Sequence, residues 1–268
     1  MVQVKEHITS DNKVKSKVSA PKKDQLISVI IPLYNEENSI KNVISRIPNE
    51  ENIEIIVVDD GSKDNSVKNA KSAKRNIKII HHKVNQGYGA AILTGVKNAK
   101  GDILITLDSD GQHTPEEIPN LVEPILKYNV DLVVGSRYLG ICNFKVPPHT
   151  RLGEIFINIF LIFLFHQPIG NNQNGFRAFK RDCLELFEKM RYSGMAYSTE
   201  VLFKFGINNK RMVEIPMTAN PREFGTSYVH LRKVLISIIG CIAYYTVFFF
   251  LKKTGILKLK EKLFPSKN

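Results

Sequence analysis

Short β-branched runs recur through the first half of the chain, each separated from the next by a stretch long enough for one helix. Residues 26–32, 53–59, 77–81, 103–108 and 131–136 are rich in Val, Ile and Leu, the pattern of strands covered on both faces. Strands that alternate with helices cannot pair as hairpins. The arrangement therefore predicts an α/β fold with a Rossmann-like, doubly wound, mostly parallel sheet. In an open sheet of that kind the loops leaving the strand ends diverge into a crevice, and ligands bind there.

The segment after the fourth run carries an explicit helix start, with Thr114 as N-cap, Pro115 at the first helical position and Glu117 placed to close a capping box. Residues 1–25 are rich in Lys, Ser, Asp and Asn and too poor in large apolar side chains to offset chain entropy, which predicts a flexible basic tail. Beyond residue 151 the pattern changes. Residues 155–165 are almost wholly apolar, and 234–251 form a second apolar run, about 27 Å long as a helix against a bilayer core of about 30 Å. The expected division is a tail over 1–25, a catalytic domain over 26–232, and a membrane-associated helix with a basic tail over 233–268.

A single span would carry Lys252, Lys253, Lys258, Lys260 and Lys262 to the face opposite a cytosolic catalytic domain, against the preference of such lysines for the cytosolic side. A helix lying in the membrane plane, or pairing of the two runs in a homo-oligomer, removes the conflict. Two buried core helices of a soluble protein are the plainer alternative.

The 43% apolar content supports a packed core in a chain of 268 residues and excludes a fibrous or wholly disordered one. Cys142, Cys183 and Cys241 are widely spaced and make neither a metal knuckle nor an even disulfide set. The lysine-rich start has no signal-peptide core, so the catalytic part is expected to face the cytosol. A formal net charge of +12 suits an anionic partner. The lysines gather in the two tails with no aromatic-interleaved basic face between them, which favours a membrane surface or a phosphorylated substrate over nucleic acid.

Polar residues concentrate at three expected strand ends: Pro32-Leu-Tyr34-Asn-Glu36-Glu37, Asp59-Asp60-Gly61-Ser62 and Asp108-Ser109-Asp110-Gly-Gln112-His113. Carboxylates converging on one crevice repel each other unless a cation or ligand donors sit between them. Asp and Gln oxygens without thiolate favour Mg²⁺ or Mn²⁺, and Mg²⁺ usually takes one or two carboxylates plus substrate phosphates. An Asp-x-Asp pair alone is as readily a solvated acidic turn; its place after a buried strand and before a capped helix gives it weight. Gly87 and Gly89 lack the third small residue of a dinucleotide-binding turn and follow the third strand, which disfavours a nicotinamide enzyme. Packing of a tight turn against the sheet accounts for them.

The strings Val29-Ile-Ile-Pro-Leu-Tyr-Asn-Glu-Glu, Val57-Val-Asp-Asp-Gly-Ser, Asn85-Gln-Gly-Tyr-Gly-Ala-Ala and Leu107-Asp-Ser-Asp-Gly-Gln are similar, in order and spacing, to family 2 glycosyltransferases of the GT-A fold. Further on, Val134-Gly-Ser-Arg, Gly175-Phe-Arg-Ala-Phe, Glu214-Ile-Pro and Arg222-x-x-Gly-x-Ser227 resemble the dolichol- and polyprenol-phosphate mannosyltransferase branch. The resemblance covers residues 28–232. It implies that Pro32, Tyr34, Glu36, Asp59 and Asp60 hold the nucleoside of a nucleotide-sugar donor, and that Asp108, Ser109 and Asp110 meet its diphosphate. It also implies Asp108, Asp110 and Gln112 around the metal, with Arg137 and Arg222 facing phosphate groups. Asp110 and Arg222 are then the catalytic pair. Two positions depart from the branch: Asn171 stands where Asp is usual before Gly-Phe-Arg, and Tyr228 where a Lys often follows Gly-x-Ser. His230, Arg232 and Lys233 are the neighbouring cations.

A lipid monophosphate acceptor has a second pKa of about 6, so at neutral pH it is already a dianionic nucleophile and direct displacement with inversion needs no base. A sugar-hydroxyl acceptor would need one, and Glu200 is the candidate. The processive polysaccharide synthases typically carry a Gln-x-x-Arg-Trp signature, and this chain has no tryptophan. The apolar runs and basic tail favour a polyprenyl-phosphate acceptor at an anionic bilayer. A non-catalytic nucleotide-binding membrane module is the reading of another class; tight nucleotide binding without metal-dependent turnover distinguishes it.

Overall fold

The β-branched runs become strands of one seven-stranded sheet. In the computed structural model, which describes residues 25–73, 75–222 and 231–255, β1 (Ile27–Leu33), β2 (Ile53–Asp59), β3 (Ile77–His81) and β4 (Ile103–Thr106) pair in parallel. β1 is buried along its whole length, because helices cover both faces of the sheet. α1 (Ile40–Ser45), α2 (Ser66–Lys71) and α4 (Ile118–Tyr128) pack on one face, around Ile31, Ile105 and Phe176. α3 (Tyr88–Asn98), α5 (Pro148–Phe165), α6 (Tyr197–Ile207) and α7 (Leu231–Lys253) pack on the other, around Ile30, Leu161, Phe203 and Tyr245.

β5 (Leu132–Cys142) runs beyond the expected 131–136 and changes from buried to exposed along its length. Two further strands, β6 (Arg177–Lys180) and β7 (Met212–Ala219), complete the order β3-β2-β1-β4-β6-β5-β7. β6 is antiparallel to both β4 and β5, while β7 is parallel to β5. The sheet is thus mostly parallel with one reversed strand, and that strand brings Gly175 and Arg177 beside the end of β4.

The helix start at Thr114 forms differently from expectation. Pro115–Glu117 is a 3₁₀ turn leading into α4, and Thr114 makes no side-chain cap. Glu117 closes no capping box; its carboxylate accepts from the Thr218 amide and hydroxyl on β7, both at 2.9 Å. Once β7 presents an unpaired N–H and O–H to that carboxylate, a tertiary bond replaces the local one. Residues 1–24 of the expected 1–25 tail, the motif residues Gly225 and Ser227 with Tyr228 and His230, and the lysines Lys258, Lys260 and Lys262 lie outside the described residues.

Both apolar runs are helical, and each shows two faces. α5 buries Ile157, Leu161 and Leu164 and turns Leu152, Ile155, Phe156, Ile159 and Phe163 outward. α7 buries Ile238, Cys241, Ile242 and Tyr245 and turns Leu235, Ile236, Ile239, Val247 and Phe250 outward. It lies lengthwise on the domain. Arg191 stacks over the Tyr244 ring at 4.2 Å, Phe249 meets Phe165 edge-on at 5.4 Å, and Lys252 Nζ donates to Asn208 Oδ1 at 3.0 Å.

Candidate active site

The C-terminal ends of β1, β2 and β4 place the expected carboxylates side by side, as a parallel sheet must when register aligns its strand ends. Pro32 is buried within β1, and Tyr34 is half-buried just beyond it. Asp59 ends β2 and Asp60 follows it, both nearly inaccessible. Asp59 accepts the Ser62 amide at 2.9 Å and pairs with His81 Nδ1 at 3.0 Å. Asp60 takes the Gln86 and Gly87 amides at 2.9 and 2.8 Å and His82 Nδ1 at 2.6 Å. Neither histidine was expected from sequence, because each owes its place to register on β3.

Asp108, Ser109 and Asp110 follow β4. Ser39 Oγ donates to the Ser109 carbonyl at 2.7 Å and to Glu36 Oε2 at 3.1 Å, tying the β1 loop to the β4 loop. Arg222 closes the cluster: its Nη2 pairs with Glu36 Oε1, and its Nη1 lies 3.9 Å from Asp110 Oδ2. Glu36, Asp110 and Arg222, separated by up to 186 positions, are therefore one group. Burial raises the Glu36 pKa, with Asp110 adding to it and Arg222 opposing. Burial and the neighbouring Asp108 charge likewise raise that of Asp110. For Asp108 burial works upward too, but the His113 and Tyr88 hydrogen bonds and the nearby Arg177 charge outweigh it and leave the carboxyl below its ordinary value.

The donor set suits a hard divalent ion. Asp110 Oδ1 accepts the Gln112 amide at 3.0 Å, and its Oδ2 lies beside Arg222. The Gln112 side chain reaches the Asn220 carbonyl through Nε2 at 3.4 Å, which directs its amide oxygen elsewhere. Carboxylate and amide oxygens with no thiolate fit Mg²⁺ or Mn²⁺. A second group, Asp131, Asp182 and Cys183, lies on another part of the molecule. There Lys180 already pairs with Asp131 at 3.4 Å, and burial pushes the Cys183 thiol up to about 12.

The profile of the family described as Glycosyl transferase family 2 matches residues 28–187, more than half of the chain and the whole of this carboxylate wall. The chain belongs to that family. Among curated relatives, it is 36% identical over 214 residues to a UDP-N-acetylglucosamine–dolichyl-phosphate N-acetylglucosaminyltransferase of Methanococcus voltae, covering 72% of this chain and 85% of that protein. It is 34% identical over 210 residues to a dolichol-phosphate mannosyltransferase of Pyrococcus furiosus, covering 75% of this chain and 58% of that protein. Among solved structures, glucosyl-3-phosphoglycerate synthase from Mycobacterium tuberculosis, in complex with Mn²⁺, uridine diphosphate and phosphoglyceric acid, aligns with a TM-score of 0.64 at 22% identity, over 81% of this chain and 78% of that one. That likeness shows the GT-A fold.

In this family member the glycines of the Asn85-Gln-Gly-Tyr-Gly string pack differently from expectation. Gly87 has φ +100° and would meet the Ser193 carbonyl at 2.8 Å if it carried a Cβ, and a Cβ on Gly89 would meet Tyr197 at 2.7 Å. The turn is packed against the 193–197 segment, not the sheet. Gly175 is equally constrained: a Cβ there would come within 2.3 Å of both Asp108 oxygens.

Arg137 stands apart from the carboxylates. Its Nη2 donates to Glu154 Oε1 of α5 at 2.9 Å, and Glu154 also accepts from the Tyr138 hydroxyl. Arg151, which sequence did not single out, lies 3.9 Å over the Tyr138 ring. β5 connects this pair to the 108–113 loop, since the Gly135 amide donates to the Phe176 carbonyl at 3.0 Å and Phe176 packs on His113. Glu200 is not in the crevice. Fully buried, it accepts the Arg191 and Tyr192 amides at 2.9 and 3.0 Å and the Tyr245 hydroxyl at 2.5 Å, fastening α7 to α6. Asn171 is also buried, its Nδ2 donating to the Gly135 carbonyl at 3.2 Å.

Proposed function

We propose that this protein transfers a hexose or N-acetylhexosamine from a nucleoside-diphosphate donor to a polyprenyl phosphate, with inversion, at a membrane surface facing the cytosol. The observation that carries it is the pairing of two unlike flanks along one sheet edge. One is a carboxylate cluster with hard oxygen donors; the other is an arginine pair at the root of a helix whose outer face is apolar. Two guanidiniums beside a hydrocarbon-compatible surface match an amphiphile made of a phosphate and an apolar chain.

Pro32, Tyr34, Asp59 and Asp60 hold the nucleoside, and Asp108, Ser109 and Asp110 border the diphosphate. Asp110 and Gln112, with Asp108 behind them, would hold Mg²⁺ or Mn²⁺, which when bound neutralises charge on the departing diphosphate. Arg222, released from Glu36, offers a planar fork to a phosphate. Arg137 and Arg151 orient the acceptor phosphate, already dianionic at neutral pH, so no general base is needed. Burial of Glu200 under α7 disfavours the sugar-hydroxyl alternative, since that carboxylate cannot reach an acceptor.

The long contact of α7 with α6 supports a helix lying in the membrane plane. α7 meets α5 through Phe249 and Phe165, both helices turn apolar side chains outward, and the exposed Arg191, Arg232, Lys233, Lys252 and Lys253 supply basic groups suited to anionic lipid. The test supplies purified protein with labelled GDP-mannose, UDP-glucose or UDP-N-acetylglucosamine and with either polyprenyl phosphate in vesicles or soluble glycan. Label entering the organic phase from one donor supports the proposal. Label confined to soluble glycan refutes the acceptor, and no transfer from any donor despite nucleotide binding leaves the non-catalytic module.

A further inference from the structure

Both oxygens of Asp108 are engaged by side chains that the functional motifs leave unassigned. The Tyr88 hydroxyl donates to Oδ1 at 3.0 Å, and His113 Nε2 meets Oδ2 at 3.2 Å. Each donor is itself fixed. Tyr88 opens α3, meets the Tyr197 ring edge-on at 6.4 Å, and follows Gln86 and Gly87, whose amides Asp60 holds. His113 lies against the Phe176 ring at 5.3 Å, and its backbone bridges Ala219 at the end of β7. Behind the carboxylate, the Gly175 backbone leaves no room for retreat.

We propose that Tyr88 and His113 are positioning residues that clamp Asp108 from two sides, so that the turn carrying Asp110 and Gln112 presents its oxygens to the cation and diphosphate without rearrangement. The inference rests on the metal-and-diphosphate reading above. A carboxylate with one lone pair of each oxygen taken by a fixed donor has lost its rotation and keeps its remaining lone pairs for ligand. The clamp also joins the nucleoside side to the Arg222 side. Asp60 holds the 86–87 turn, Tyr88 and His113 bracket Asp108, and the Asn220 amide donates to the Gln112 carbonyl at 2.8 Å two residues before Arg222. Neither residue touches substrate; each acts through Asp108.

The test is Mn²⁺ binding, followed by the paramagnetic resonance of free Mn²⁺ in the presence of GDP or UDP, with thermal unfolding recorded alongside. Tyr88→Phe removes one oxygen and keeps the ring packing, and His113→Leu removes the donor. Each should weaken Mn²⁺ affinity about 10- to 100-fold, the range for lost support of a metal-site residue. His113→Gln, whose amide can still donate to Oδ2, should recover most of the loss. In an Asp108→Asn background, Tyr88→Phe should cost little more, because the two act on one interaction. Wild-type affinity in Tyr88→Phe and His113→Leu overturns the clamp, as does a loss that tracks unfolding temperature with no rescue by Gln. Wild-type protein that takes up no Mn²⁺ with either nucleotide overturns the donor reading itself, and the clamp with it.

Discussion

Along the carboxylate flank, Asp59, Asp60 and Asp108 each meet at least two hydrogen-bonding partners of the chain: backbone amides and histidines for the first two, Tyr88 and His113 for Asp108. Along the arginine flank, Arg137 pairs with one carboxylate, Glu154, and its neighbour Arg151 stacks over an aromatic ring. Carboxylates held by two or more donors do not swing, whereas arginines on long side chains can exchange one anion for another. The difference fits a rigid diphosphate site beside an adaptable phosphate site, the second bordered by an outward apolar helix face. It also assigns different penalties to small changes on the two sides.

The most damaging change on the rigid side is Asp110→Asn, which should lower transfer by about 100-fold or more while the circular dichroism spectrum stays native; undiminished turnover would remove Asp110 from the metal site. Gly175→Ala comes next. Its methyl must displace the Asp108 carboxylate or the loop behind it, so nucleotide affinity measured with Mn²⁺ should fall by tens of fold, about the cost of disturbing a metal-supporting shell. On the adaptable side, Arg137→Lys keeps the charge but loses the fork, and should raise the acceptor KM by about tenfold with the donor KM unchanged. The smallest effect is expected from Ile159→Glu with Ile236→Glu. Flotation with anionic vesicles should be lost and transfer to vesicle-borne acceptor fall several-fold, with nucleotide binding intact. Equal losses of donor and acceptor affinity in the last two variants would erase the distinction between the flanks.

Legibility in the sequence divides along the same line. β1, β2, β4 and the first half of β5 could be read because strands buried on both faces must be continuously apolar, β3 because three of its five residues are isoleucine, and the strand-end carboxylates stood in recognisable strings. β6 escaped because its four residues, Arg177-Ala-Phe-Lys180, are too few to carry a period. β7 escaped because Glu214 and Pro216 interrupt it, and Pro216 is tolerated only because β7 is a sheet edge. Glu200 looked like a base, yet the apolar run Val201-Leu-Phe that follows it was a local sign of burial. Tyr88, His81, His82 and Arg151 owe their positions to approaches between distant segments, which no local pattern encodes.

In the function proposed, the β1, β2 and β4 ends bind a nucleoside diphosphate through a divalent cation held by Asp110. Calorimetric titration of GDP and UDP into the wild-type protein and Asp110→Asn, each with Mn²⁺ and with chelator, tests it most directly. One nucleotide should bind the wild-type protein at least tenfold more tightly with Mn²⁺ than without, and the variant should lose that difference. Nucleotide affinity that is the same with and without the metal, or unchanged by the substitution, would leave Asp110 with no part in binding the diphosphate.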